Sequence, residues 1–157
     1  MAERRVAEKM VAEETVAEET SAESMLHEAN GWLETLFAPW VQSLNLQPVK
    51  VAGGEAELLL PFDPALCRVG GTVCGQALMA AADTAMVFAI ASQLGEFRPM
   101  TTVGQHMSFM RPVAAGDVRV VARVMKPGRS LFFGEVTLIG VADGKLAAHA
   151  TTTYALL

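Results

Sequence analysis

Eighteen residues from Ala77 to Leu94 form the most apolar segment of the chain, interrupted at Asp83, Ser92 and Gln93. Three polar interruptions are too many for a bilayer-spanning helix of about 20 apolar residues, so the run predicts a helix inside a soluble domain. A helix apolar on nearly every side has to be covered all round. Whatever surrounds it must come from the rest of the chain, and that need constrains the fold more than any other feature.

The covering material reads as strands. Val49–Val51 and Glu55–Pro61 flank Ala52–Gly53–Gly54 as a hairpin, closed by Pro61, Asp63 and Pro64. After the apolar helix, placed from about Gly75 to Leu94 and ended by Gly95, four strands follow: Thr101–Met110, Val118–Lys126, Leu131–Val141 and Lys145–Leu156. The breaks between them are Pro112–Gly116, Pro127–Gly128 and Asp143–Gly144, the last a two-residue hairpin signal. Ahead of all these, apolar positions from Met25 to Trp40 follow the 3.6-residue period, with Pro39 closing an amphipathic helix whose two tryptophans serve packing. The order of helix, two strands, apolar helix and four strands predicts an α+β domain in which a strongly curved antiparallel sheet wraps the central helix.

With 157 residues the chain suffices for one such domain, placed at 25–157. Residues 1–24 repeat VAEKM, VAEET, VAEET and SAES. Each five-residue step turns a helical residue by about 140°, so no apolar stripe forms, and a frayed helix or disordered tail is expected. This tail carries seven glutamates against three basic residues, a net of −4, so the remainder contributes only −1 of the total −5. Neither a basic stripe nor a stacked aromatic surface points to nucleic acid.

Cys67 and Cys74 match neither zinc nor redox spacing, and the charged N-terminus lacks a secretory apolar segment. A cytoplasmic protein with no metal and no cofactor is the expectation. His106 and His149 alternate with small polar residues, facing solvent or a subunit contact, while His27 lies on the first helix.

Asp83 is the chemically pointed residue, because an isolated buried carboxylate costs several kcal/mol. It would either cap a turn or pair with Arg68 or Arg111, or act as a general base or nucleophile. Gly70, Gly71 and Gly75 either turn the chain or let a ligand approach the first amides of the helix, where an oxyanion is favoured. Cys74 would be a packed thiol, or a nucleophile if one of the histidines lay within reach.

The stretch from Gly71 to Met86, with "TTVGQHMSFMRPVAAGDVRVVARVMKPGRSLFFGEVTL" and "AAHATTTYAL", resembles the hotdog-fold acyl-CoA thioesterases of the phenylacetate-degradation (PaaI-like) type, over roughly residues 45–157. In that family a GTxHGG turn opens the central helix, an acid follows nine residues after the histidine, and a serine or threonine lies near the attacking water. The resemblance makes Asp83 the catalytic acid, the Gly75 amide the oxyanion donor and Thr102 the hydroxyl. Cys74 takes the histidine position, Gln76 that of the second glycine and Arg68 that of an asparagine, so Cys74, Gln76 and Arg68 would line the substrate site.

Arg111, Lys126 and Arg129, with Arg68, would either meet the phosphates of coenzyme A or be solvated hairpin charges. The activity implied is hydrolysis of an acyl-CoA, with coenzyme A as part of the substrate, in a homodimer or homotetramer whose sites draw on two subunits. The alternatives are a non-catalytic acyl-CoA-binding or regulatory hotdog protein, and a hydratase, against which the missing histidine argues.

Overall fold

A computed structural model describes residues 23–157. The expected pentad tail lies, but for residues 23 and 24, outside these described residues. Residues 23–35 form a helix, α1. After α2 (Pro39–Gln42) come β1 (Gln47–Ala52) and β2 (Glu55–Leu60), a 3-10 turn at Pro64–Leu66, the short strands β3 (Cys67–Arg68) and β4 (Thr72–Val73), and the central helix α3 (Gly75–Leu94). Four long strands complete the chain: β5 (Met100–Phe109), β6 (Val118–Pro127), β7 (Leu131–Gly140) and β8 (Leu146–Leu156).

Six strands make one antiparallel sheet in the order β1-β2-β6-β7-β8-β5, and α3 packs against every one of them. This is the hotdog arrangement: the two halves of the sheet, split in sequence by the helix, are joined in space by β2 pairing with β6. Helix α3 is long and apolar enough to cross a bilayer by length and composition alone, yet eleven of its residues are buried in the domain. Alanine supplies much of the buried face, at Ala77, Ala81, Ala82, Ala85, Ala89 and Ala91. It favours helix and lets strands approach closely. The helix ends at Gly95, whose φ of 78° is the left-handed conformation that closes helices.

Two local expectations are corrected. The periodic run from Met25 to Trp40 is two helices, and Pro39 opens the second instead of closing the first. Its fixed φ suits a first helical turn, where its missing N–H costs nothing. The Gln42 side chain ties the pieces together, Nε2 donating to the carbonyls of Phe37 at 2.7 Å and Glu34 at 3.1 Å. Trp32 packs on the rings of Phe88 and Phe97, at centroid distances of 5.6 and 5.8 Å, whereas Trp40 is 61% exposed and packs little. Second, Asp143–Gly144 does not make a two-residue turn, because β7 ends at Gly140 and β8 starts at Leu146. The Asp143 carboxylate instead accepts from the Lys145 amide at 3.0 Å, holding a wider loop.

The cover over α3 is incomplete. Gln76 and Met79 are exposed and Ala80, Asp83 and Val87 half-buried, positions that fall on one side of a helix. Among the described residues nothing closes this stripe, contrary to the expectation that the chain would cover the helix all round.

Candidate active site

Asp83 sits in the middle of the open stripe of α3, and two strands bring hydroxyls to it. Thr102 of β5 and Tyr154 of β8 are direct cross-strand partners, so their side chains share the inner face of the sheet. Thr102 Oγ1 donates to Asp83 Oδ1 at 2.8 Å. The phenol of Tyr154 also donates to Oδ1 and lies 2.8 Å from the Asp83 carbonyl oxygen. Oδ2 accepts nothing from the described residues. One carboxylate oxygen is therefore anchored twice, and the other is presented to the open side.

Among the described residues no cation pairs with this carboxylate: its partners are hydroxyls, and neither Arg68 nor Arg111 forms an ion pair with it. The phenol of Tyr154 is pushed above its ordinary range, first by burial and then by the Asp83 charge beside it, which keeps it a proton donor. Tyr154 was not singled out from the sequence. An inward aromatic in a strand reads as core, and only the β5–β8 register brings its hydroxyl to Asp83. The available signal was its parity: Ala148, Ala150, Thr152 and Tyr154 alternate inward and are buried, and a buried phenol needs a partner.

The other end of α3 forms a second feature. Cys74 precedes the helix in extended conformation, and its side chain caps no amide. The glycine-rich stretch before it is a small hairpin rather than a bare turn, with Arg68 opposite Thr72 and positive φ at Gly70 (100°) and Gly71 (76°). A cleft of about 440 Å³ opens there, lined by Arg68, Thr72, Gly75, Phe109 and Arg111. The Thr72 hydroxyl oxygen is buried with no hydrogen-bond partner among the described residues. A Cβ on Gly75 would come within 3.1 Å of the Phe109 ring, so glycine permits that ring to lie over the helix start.

Gly75 and Asp83 are eight residues apart on one helix, about 12 Å along its axis. A single thioester carbonyl cannot touch both in one chain. The cations divide as well: Arg68 and Arg111 line the cleft, Arg111 also donating to the Leu146 carbonyl at 3.1 Å. Lys126 and Arg129 are exposed at the far end of β6, a ten-residue strand spanning roughly 30 Å. Gln76 is exposed on the open stripe. His106 and His149 lie on the outer sheet face, His149 Nε2 3.4 Å from a Glu135 carboxylate oxygen and away from Cys74.

Residues 70–147 match the family model of the thioesterase superfamily. A conserved Pseudomonas aeruginosa protein, PA5202, is 33% identical and superposes with a TM-score of 0.73, over 79% of this chain and 98% of that one. The phenylacetic acid degradation protein PaaI of Thermus thermophilus is 26% identical, with a TM-score of 0.68 over 76% of this chain and 100% of its own. A Thermoplasma volcanium protein whose name marks it as a candidate esterase is 29% identical over 126 residues, 79% of this chain and 93% of that protein.

Proposed function

The chain belongs to the thioesterase superfamily, and from that premise we propose that it hydrolyses acyl-CoA thioesters to coenzyme A and a carboxylic acid, at sites completed by a second copy of itself. The observation that carries this reading is the half-anchored carboxylate of Asp83, whose Oδ2 accepts no hydrogen bond from the described residues, on a helix face that they leave open. Such a group can take a proton from water as the water oxygen bonds to the thioester carbonyl carbon. The C–S bond then breaks, and the proton passes to the departing thiolate. Direct attack by Oδ2 through an acyl anhydride, opened afterwards by water, uses the same geometry. Thr102 steadies the acid through its hydrogen bond to Oδ1 and would also orient the water.

The second copy follows from the 12 Å problem. The amide at the start of α3 would polarise the carbonyl, and it has to be brought to the Asp83 of another chain. Strand β5 suits this, since among the described residues it is an edge strand of ten residues paired only with β8, and its side chains are largely exposed. An unpaired edge of that length is a template for another strand. Pairing two β5 edges would lay the open stripes of both α3 helices side by side. Arg68 and Arg111 at the cleft would face the phosphates of coenzyme A, with Lys126 and Arg129 reaching them only from the other protomer.

A panel of aryl, short-chain and long-chain acyl-CoA thioesters, assayed for release of free thiol, tests the activity. Steady turnover of one class is expected. Tight binding without thiol release would establish the binding-protein alternative, and light scattering that found an active monomer would overturn the shared site.

A further inference from the structure

We propose that Tyr154 is a positioning residue for this hydrolysis: through its hydroxyl it locks the Asp83 carboxylate so that Oδ2 alone meets water or thioester. The proposal rests on the thioesterase reading above. Tyr154 is only 1% exposed, in a strand flanked by β5 and β7, opposite Thr102 on one side and Phe132 on the other. A phenol so placed needs one acceptor to satisfy its single O–H, and the Asp83 carbonyl at 2.8 Å would serve. The same oxygen is also within bonding distance of Oδ1 of that residue. Its single O–H is thus shared between the backbone carbonyl and the side chain of the one acidic residue on α3, and core packing alone does not require the contact with the carboxylate.

Anchoring matters because a free aspartate swings its two oxygens about χ2, a broad torsion with shallow wells. Two donors on Oδ1 fix that torsion. Thr102 reaches Oδ1 from an edge strand and is exposed, whereas Tyr154 reaches it from the interior and cannot turn away. When Oδ2 accepts a proton, Oδ1 becomes the carbonyl oxygen of the acid and still accepts both hydrogen bonds. The lock therefore survives the reaction, and the phenol itself transfers nothing.

The test uses the full chain and the best thioester from the panel. Tyr154→Phe keeps the ring and removes only the hydroxyl, so kcat should fall about 10- to 100-fold, the scale of a misplaced catalytic group, with KM changed less than about threefold. Once Asp83 is replaced there is no acid left to position. The double variant Asp83→Asn/Tyr154→Phe should then be no slower than Asp83→Asn alone. Since Tyr154 is the single tyrosine in the sequence, protein labelled with 13C at the tyrosine ζ carbon gives one resonance, which Asp83→Asn should shift even if Tyr154→Phe does not fold. A Tyr154→Phe enzyme with normal kcat, multiplying losses in the double variant, or an unmoved resonance would each overturn the proposal. Normal turnover by Asp83→Asn would instead overturn the thioesterase site itself.

Discussion

Gly134 in β7 lies directly over Met86 of α3: a Cβ there would come within 2.6 Å of the Met86 sulfur and 2.9 Å of the Arg123 carbonyl oxygen. The methionine side chain can yield, but the backbone of β6 cannot move without breaking its pairing with β7. Gly134→Ala should therefore cost about 1–3 kcal/mol, as overpacked cores do. Its melting temperature should drop by roughly 3–10 °C. An unchanged melting temperature would mean that the sheet is not seated this closely on the helix.

Cys74 occupies the residue before α3 with φ −71° and ψ 150°, the extended geometry of an N-cap, yet its side chain bonds no amide. Serine at that position has the oxygen a cap requires. Cys74→Ser should raise stability by about 0.5–1 kcal/mol while leaving most of the activity. A loss near 10³-fold with the fold intact would show that the thiol performs covalent chemistry.

Much of this architecture is legible in the sequence because it depends on local composition. The apolar run between Gly75 and Gly95 announces α3, and paired glycines at Gly53 and Gly54, with φ of 58° and 82°, announce the first hairpin. Asp83 stands out because a carboxylate in such a run demands a reason. What stays hidden depends on distance in space. Tyr154 is 71 residues from Asp83, and nothing local states which residue its hydroxyl will meet. The split of the four cations is equally non-local: Arg111 and Lys126 look close in sequence, but a whole strand lies between them. Pro39 is ambiguous in the sequence for a different reason, since proline both ends and begins helices and the periodicity runs unbroken across it.

Asp83→Asn separates chemistry from structure. Asparagine keeps an Oδ1 that accepts from Thr102 and Tyr154, so stability should stay within about 1 kcal/mol of the parent. Turnover should fall roughly 10²- to 10⁴-fold, the usual share of a positioned acid or base. A loss of about 3–5 kcal/mol, as when a buried ion pair is broken, together with normal kcat, would sink the catalytic assignment.

The phenol of Tyr154 makes a pH-dependent contribution whose sign can be worked out. Burial, then the neighbouring Asp83 charge, raise it above its ordinary value of 10.0 in the folded chain. Below about pH 10 the phenol is protonated in both states, and its contribution does not vary with pH. Above that pH the unfolded chain releases the proton while the folded chain retains it. The unfolded state then binds fewer protons, and stability must fall as pH rises, by up to about 1.4 kcal/mol per unit from this group. Lysines and cysteines titrate in the same range, but they are shared with Tyr154→Phe, which lacks only the phenol. Urea unfolding of both proteins at pH 9, 10 and 11 should show the stability gap moving by about 1 kcal/mol against the parent between the last two points. Parallel pH dependences would mean that the folded protein ionises this phenol as readily as the unfolded chain, and that the hydroxyl is not held against the carboxylate in a buried site.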